Sequence, residues 1–122
     1  MKIRWSDFSA FNDNNLEDAP SKAGVYLLWM KLTRDDWRLF YVGEADSIKQ
    51  TLRRHLSCQE TNFELKRKLR NCVTGFEYSV QPDAEVRAGV LKFLAEQCKP
   101  ELPCPVAQPD VEPIAVNLPS TE

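Results

Sequence analysis

Two tyrosines and a histidine are the side chains of this sequence whose types and spacing best suit chemistry on a phosphodiester. Tyr26 and Tyr41 each stand in an apolar run, and His55 follows in a segment with helical periodicity. A phenol beside a water can accept or orient its proton, and a cation on the helix would offset charge that grows on the phosphoryl oxygens. A carboxylate that holds Mg²⁺ would complete such a site. These residue types therefore suit phosphodiester hydrolysis.

The runs that carry the two tyrosines have the composition of β-strands. Gly24–Met30 and Arg38–Gly43 are short, apolar and rich in β-branched and aromatic residues. The residues between them, 31–37, are polar and charged, which predicts a β-hairpin with a long loop. The hairpin would place Tyr26 and Tyr41 on adjacent strands.

Two helices are predicted after the hairpin. In the first helix, apolar residues recur every four positions: Ile48, Leu52 and Leu56. Asp46 or Ser47 is placed to cap this helix, which would carry His55. The second helix is shorter and has these apolar residues among its charges: Phe63, Leu65 and Leu69. The chain therefore enters two helices in a row before its next strand.

One more strand and one more helix complete the predicted domain. Val73–Val80 alternates apolar and polar residues, which marks a half-buried strand. Asp83 stands at the start of a last helix, which ends before Pro100. The apolar stripe of that helix is expected at Val86, Val90, Phe93, Leu94 and Gln97. The order β-β-α-α-β-α predicts an α+β fold, a small sheet of about three strands flanked by helices.

The chain divides into three parts on this reading. Residues 1–23 form an N-terminal docking segment with a loop at residues 12–15, residues 24–100 form the domain, and residues 101–122 form a proline-rich C-terminal extension. Five prolines after Pro100 exclude a helix or a central strand there: Pro103, Pro105, Pro109, Pro113 and Pro119. Residues 114–118 are apolar enough to pack back on the domain.

Bulk composition is that of an ordinary single globular domain. The chain has 122 residues, 43% hydrophobic residues and a formal net charge of -2, so any basic surface must be local. A membrane-spanning run and a signal peptide are both lacking in the sequence, which predicts a cytoplasmic location. The cysteines form no closely spaced pair and are expected to be reduced and mostly buried: Cys58, Cys72, Cys98 and Cys104.

Two tripeptides resemble the signature motifs of the GIY-YIG endonuclease family. Gly24-Val25-Tyr26 is similar to the first motif and Tyr41-Val42-Gly43 to the second, and the predicted element order is that of the family. The resemblance implies that Tyr26 is the proton-accepting or water-orienting phenol and Tyr41 its partner. It also implies that His55 shares or takes over the role of the base. Mg²⁺ or Mn²⁺ would be the cofactor of an active enzyme.

Two positions depart from the family pattern. Counting from Tyr41, the family's catalytic arginine falls on Thr51, and counting back from Pro100, its metal-binding glutamate falls on Leu91. Threonine has no charge to set against a phosphoryl oxygen, and leucine cannot bind a hard cation. No metal ligand is therefore assigned from the sequence, and family-type cleavage is expected to be weak or lost.

Neighbouring side chains offer partial replacements for the missing groups. Arg54 lies about 60° round the helix from Thr51 and one turn on, so we include it among the catalytic candidates. For the metal, Glu85 and Glu96 are too far round the last helix from Leu91. A carboxylate from a strand or loop remains open, and the candidates are Glu44 and Glu77.

The region of the two middle helices is basic although the chain is acidic overall. Its seven basic residues, against Glu60 and Glu64, are Lys49, Arg53, Arg54, Lys66, Arg67, Lys68 and Arg70. Such a segment could contact several phosphates of a nucleic acid, DNA being our first expectation. The alternative is that these residues are two solvated helix faces, as charge runs usually are.

Three functions follow as hypotheses. The first is a nucleic-acid-binding domain of the GIY-YIG type with weak or lost cleavage. The second is a working Mg²⁺-dependent or Mn²⁺-dependent nuclease with a rewired site that uses Tyr26, Tyr41 and His55. The third is a protein-interaction module that has kept the fold, with the proline-rich extension as its binding segment.

Overall fold

A computed structural model describes residues 1–34, 36–57, 59–102 and 111–119. Its elements, in chain order, are β1 (Ser9–Ala10), α1 (Asp13–Leu16), β2 (Gly24–Thr33), β3 (Asp36–Ala45), α2 (Ile48–Leu56), α3 (Phe63–Asn71), β4 (Thr74–Val80) and α4 (Ala84–Cys98). The four strands form one antiparallel sheet in the order β1-β4-β2-β3. The predicted α+β class and, from Gly24 onwards, the predicted order β-β-α-α-β-α are confirmed.

The connection of the β2–β3 hairpin is much shorter than predicted. Strand β2 continues to Thr33 and β3 begins at Asp36, so that Lys31 pairs with Trp37 and Thr33 with Asp36. This end of the ribbon lies mostly in solvent, so its charged side chains are compatible with strand pairing. The prediction of a long loop was therefore wrong.

Residues before Gly24 contain regular structure that the sequence did not indicate. The side chain of Asn12 accepts a hydrogen bond from the backbone amide of Asn15 and caps the one-turn helix α1. Strand β1 adds a fourth strand to the sheet by pairing with β4. The prediction of a loop at residues 12–15 was wrong, because a single turn is too short to show apolar periodicity.

The sheet separates two apolar clusters. Side chains alternate along β2, so Tyr26 and Leu28 face the first cluster, with helices α1, α2 and α3, while Val25 and Leu27 face the second, with α4. The first cluster includes the fully buried side chains of Leu16, Ile48, Leu52 and Leu65. The chemistry-bearing tyrosines therefore belong to the face covered by α2 and α3.

The apolar residues of helix α4 that are buried against the sheet differ from the predicted set at two positions. Asp83 caps the helix as expected, and Val90 and Leu94 are fully buried. Gln97 is exposed, so its place in the predicted stripe was wrong. Leu91, which the predicted stripe omits, is fully buried in the second cluster, to which Val25 and Val42 also belong.

Residues 111–119 pack along α4 and the N-terminal segment. The backbone amide of Ile114 donates to the Gly89 carbonyl at 2.9 Å, and the amide of Ile3 donates to Asn117 Oδ1 at 2.7 Å. The expected packing of the apolar run in the tail is thus confirmed. Pro103, Pro105 and Pro109 lie outside the described residues.

Two further sequence-based expectations concern the thiols and membrane spans. Cys72 and Cys98 are free and partly buried, whereas Cys58 and Cys104 lie outside the described residues. None of the helices in the described part of the chain is long and apolar enough to cross a membrane.

Gly24 lies where three elements approach closely. A Cβ at this position would come within 2.2 Å of the Ser79 carbonyl oxygen and 2.6 Å of Ile48 Cδ1. Because the first of these atoms belongs to the backbone of β4, it cannot move aside cheaply. Only glycine fits at the start of β2.

We therefore expect Gly24→Ala to lower the free energy of unfolding by about 1–3 kcal/mol, the usual cost of overpacking. Urea denaturation followed by circular dichroism would measure the change. Ser21→Ala, at an exposed position just before β2, should leave the midpoint unaltered. An unaltered midpoint for Gly24→Ala would contradict the close approach.

Candidate active site

The register of the β2–β3 hairpin brings the two tyrosines together. Tyr26 pairs with Gly43 and Tyr41 with Leu28, so both rings lie on the same face of the sheet. Their centroids are 6.2 Å apart, and both residues are buried. Tyr26 and Tyr41 thus form one wall of a common site, as the sequence predicts.

Gly43 makes room for the phenol of Tyr26. A Cβ on Gly43 would lie 2.5 Å from both Cζ and Oη of Tyr26. The ring can therefore lie across β3 only because this residue has no side chain. The glycine at the end of the second motif has a direct steric role in placing the hydroxyl.

His55 on α2 meets the hydroxyl of Tyr26. Its Nε2 lies 2.7 Å from Tyr26 Oη, and its ring packs edge-on against Tyr41 at 5.8 Å between centroids. Only 3% of the residue is exposed. A histidine next to Leu52 and Leu56 could have been a boundary residue, but its burial against both tyrosines makes it part of the site.

Glu60 is a site residue that sequence reasoning missed. Its Oε1 is hydrogen-bonded to Nδ1 of His55, and its Oε2 accepts a hydrogen bond of 2.7 Å from the backbone amide of Asn62. Glu60 is buried in the connection between α2 and α3. From the sequence it was counted only as one of two acidic residues within the basic segment. The structure thus contains a hydrogen-bonded chain Tyr26–His55–Glu60.

The electrostatic environment sets the protonation of this chain. Burial lowers the pKa of His55 below 6.5, against the opposing effect of Glu60, and the charge of Arg54 lowers it further. Burial opposes ionisation of Glu60, but the hydrogen bonds from Asn62 and His55 outweigh it and lower the Glu60 pKa. At neutral pH the imidazole is therefore neutral and the carboxylate is charged.

These protonation states fix the tautomer of His55. An ionised carboxylate can only accept, so Nδ1 of His55 donates its hydrogen to Glu60. The lone pair of Nε2 is then directed at Tyr26, whose hydroxyl donates to it. The imidazole is positioned to take a proton from the phenol.

An open cavity of about 340 Å³ lies in front of the two tyrosines. The residues that line it are Tyr26, Tyr41, Gly43, Glu44, Ala45, Asp46, Thr51 and Arg54. Arg54 and Thr51 both line this cavity, so the structure places Arg54 beside the position where the family arginine is replaced. A catalytic role for Arg54 stays a prediction.

Of the two carboxylates left open by the sequence, Glu44 lines the cavity and Glu77 does not. Glu44 pairs with Val25, so its side chain leaves β3 on the face of the second cluster, and its Oε2 is buried without a hydrogen-bond partner among the described residues. Glu77 lies on the same face of the sheet, beside Trp29. Leu91 is fully buried in the second cluster and is not among the residues that line the cavity.

A basic surface lies on the outside of α3. Lys66, Arg67 and Arg70 border an open groove of about 300 Å³ together with Phe63, which is 72% exposed. Arg53 is also exposed. Lys49 donates a hydrogen bond to the Glu17 carbonyl, and Lys68 forms an ion pair with Glu101. The predicted basic residues therefore do not all face the same way.

Structural comparison matches this chain to the N-terminal GIY-YIG endonuclease domain of UvrC from Thermotoga maritima, in two point-mutant forms with a tyrosine replaced by phenylalanine. The TM-score is 0.57 for both, with 18% and 19% sequence identity over 72% of this chain and 89% of the UvrC chain. Both UvrC forms hold their catalytic divalent cation. Searches for a matching family profile and for a similar curated protein found none.

This chain has a GIY-YIG-type fold. Gly24-Val25-Tyr26 opens β2 and Tyr41-Val42-Gly43 lies near the end of β3, the adjacent antiparallel strand. The resemblance inferred from these two tripeptides is thus confirmed at the level of the fold. Within this fold, Tyr26, Tyr41 and Arg54 line one cavity, and His55 contacts both tyrosines.

The carboxylate of Glu60 should control the basicity of His55. Because Glu60 raises the pKa of the imidazole against the effect of burial, Glu60→Gln is expected to lower that pKa further. The chain has one histidine, so ¹⁵N–¹H NMR over a pH series would follow His55 without assignment ambiguity. Glu64→Gln, on the exposed start of α3, is the matched control and should leave the titration unchanged. An unchanged titration for Glu60→Gln would argue against the pairing.

Proposed function

We propose that this chain is a metal-dependent nuclease of the GIY-YIG type with a rewired active site. The observation that supports this most is the buried chain Tyr26–His55–Glu60 at the edge of an open cavity. A neutral imidazole that faces a phenol, and is held by a carboxylate on its other side, has the arrangement of a general base. Packing alone does not account for three polar groups buried in this order.

The chain of hydrogen bonds would serve proton transfer from a water. Tyr26 accepts the proton of the attacking water as its own hydroxyl proton passes to Nε2 of His55. The imidazolium that forms is stabilised by the charge of Glu60, which accepts from Nδ1. Glu60 does not touch the substrate in this proposal and acts as a positioning residue. Tyr41 packs against both rings and keeps them in place.

Arg54 is proposed to take over the role of the missing family arginine. Arg54 lines the same cavity as Tyr26 and carries the positive charge that Thr51 lacks. Hydrogen bonds from a guanidinium to a phosphoryl oxygen strengthen as negative charge grows on that oxygen. A different approach angle from the next turn of α2 is consistent with slower cleavage than a family-type arginine would give.

Glu44 is the residue of the cavity that we propose as a ligand for a divalent cation, since Leu91 carries no ligand atom. The buried Oε2 of Glu44 has no hydrogen-bond donor, and such an oxygen suits Mg²⁺ or Mn²⁺ once the side chain turns from the second-cluster face toward the cavity. The described residues contain no group of three or more histidine, cysteine or acidic side chains that could hold a metal ion, so a cation held by Glu44 would keep most of its water ligands. When bound, it would offset charge on the leaving oxygen.

The groove on α3 is proposed as a nucleic-acid contact. Lys66, Arg67 and Arg70 supply positive charge for phosphates, and the exposed ring of Phe63 supplies a surface on which a base can stack. Phe63 is 72% exposed, so most of its ring surface is free to receive a base. DNA remains the first expectation for the substrate.

A second candidate function is nucleic-acid binding without cleavage. The observation in its favour is Leu91, which fills the family's metal-ligand position with a buried apolar side chain. The two candidates share the basic groove and differ only in turnover.

A salt series of fluorescence-polarisation titrations with labelled DNA and RNA tests both, and undetectable or salt-independent binding would contradict both.

Tyr26→Phe should distinguish the two candidates. We expect the native chain to nick plasmid DNA with Mg²⁺ or Mn²⁺, and loss of the phenol to slow nicking by about 10²–10⁴-fold. Tyr78→Phe is the matched control, since Tyr78 lies on β4 and does not line the cavity. Nicking that survives Tyr26→Phe unchanged would refute the proposed site, and binding with no nicking by the native chain would favour the second candidate.

Glu44→Gln should weaken metal binding independently of activity. The carboxamide keeps the shape but loses the charge, so we expect at least about tenfold weaker binding of Mn²⁺, measured as free Mn²⁺ by electron paramagnetic resonance. Glu96→Gln, exposed on α4, should bind as the native chain does. Equal affinity of the native chain and Glu44→Gln would show that Glu44 is not the ligand.

A further inference from the structure

A second buried carboxyl lies on the sheet face that does not carry the candidate active site. Glu77 of β4 is 2% exposed and pairs with Leu27, so its side chain points toward the face of the second cluster. Its Oε1 accepts a hydrogen bond of 2.9 Å from Trp29 Nε1. The proposed cleavage reaction does not use this carboxyl, since Tyr26 and His55 lie on the other face.

Glu77 has no counter-ion within the described residues. The ion pairs there are His55–Glu60, Lys68–Glu101 and Arg87–Asp46. The remaining positions, Asp35, Cys58, 103–110 and 120–122, contain neither lysine nor arginine. Burial raises the pKa of Glu77 to about 7, although the bond from Trp29 favours the charged form. A buried acid without a counter-ion reduces stability when it ionises, and such a group beside a cavity is a candidate binding residue.

The carboxyl opens onto a cavity of about 490 Å³ with aromatic walls. Trp5 and Phe8 line it together with Glu77, and Asp7 adds a second acidic side chain at its exposed rim. The remaining contacts come from Asn117 and its neighbours in the C-terminal segment. Two rings and two carboxyls thus surround one space.

The aromatic rings of this cavity are held in place by specific contacts. Trp5 Nε1 donates to the Asn117 carbonyl at 2.8 Å. Phe8 lies directly over Gly75, where a Cβ would come within 2.2 Å of its Cζ, and its ring packs edge-on against Trp37 at 4.9 Å. The cavity therefore exists before any ligand arrives, which reduces the entropic cost of binding.

We propose that this cavity binds the ammonium or guanidinium group of an organic cation, with Glu77 as its counter-ion and Trp5 and Phe8 as its aromatic walls. Aromatic faces attract cations, and the attraction grows when the cation is removed from water. A carboxylate deep in the cavity supplies the charge that selects a cation over a neutral molecule of the same shape. Anions are excluded by Glu77 and Asp7 together.

The neighbouring elements contribute few other charges to this cavity. The N-terminal segment supplies Asp7, and the residues of the C-terminal segment that line the cavity are uncharged. On β2, Lys31 lies over the ring of Trp37 at 5.9 Å from its centroid. Glu77 is therefore the group whose ionisation should govern the pH dependence of binding near neutrality.

Titration with butylammonium and butylguanidinium, followed by tryptophan fluorescence and calorimetry, tests the proposal. Both cations should bind saturably at pH 8, and butanol, the neutral analogue, should not. With a pKa of about 7 for Glu77, the ionised fraction and hence the affinity should rise about tenfold from pH 6 to pH 8. Failure of both cations to bind, or equal binding of butanol, would overturn the proposal.

Glu77→Gln should weaken cation binding at pH 8 at least about tenfold, because the carboxamide retains an acceptor for Trp29 but carries no charge. Glu85→Gln, exposed at the start of α4, is the matched control. Unchanged affinity in Glu77→Gln would refute the role of the carboxyl.

A capped tripeptide Gly-Lys-Gly presents the same ammonium group on a lysine side chain. If the tripeptide binds more tightly than butylammonium, the site is assigned to lysine side chains. If it binds more weakly, the site is assigned to free amines.

A melting series shows whether Glu77→Gln is folded and checks the uncompensated charge. The folded-state pKa of Glu77, about 7, lies above its ordinary value of 4.5, so the native chain loses stability as pH rises through this range. The variant should therefore melt at the same temperature as the native chain near pH 4 and at a higher temperature at pH 8. A lower melting temperature of Glu77→Gln at pH 8 would contradict an unpaired acid.

Discussion

The space left by Gly43 is the constraint on which the site depends. Antiparallel pairing places Tyr26 opposite this glycine, and the phenol can cross the neighbouring strand only because no side chain stands in its way. The hydroxyl then reaches His55 on the helix that packs over the hairpin. The glycine of the second motif therefore determines that the Tyr26 hydroxyl is the atom of the sheet that His55 of α2 contacts.

The candidate site combines a complete proton-transfer half with an altered charge-stabilising half. Burial keeps His55 neutral and Glu60 fixes its tautomer, so the base is ready without any change of conformation. In the proposed function, Arg54 and Glu44 would provide the two charges that the family places on other residues. Only the proton-transfer half is formed by contacts between side chains that the structure describes.

Much of the fold was predictable, because the spacing of apolar residues along a helix or strand indicates which of its faces is buried. The two strands with tyrosines and the capped helix with His55 follow from such patterns. Glu60 was not predictable, since its role depends on how a connection turns back toward α2. The exposed hairpin end was mistaken for a loop, because a ribbon that extends beyond the core needs no apolar residues.

The second apolar cluster joins the two ends of the sequence. Ile3 and Val116 are both buried in it, and the amide of Ile3 is bonded to the side chain of Asn117. Contacts between residues so far apart in sequence slow the search for the native state. During synthesis, α4 can cover its face of the sheet early, but the cluster closes only after Val116 has emerged, and until then part of its apolar surface stays open to solvent.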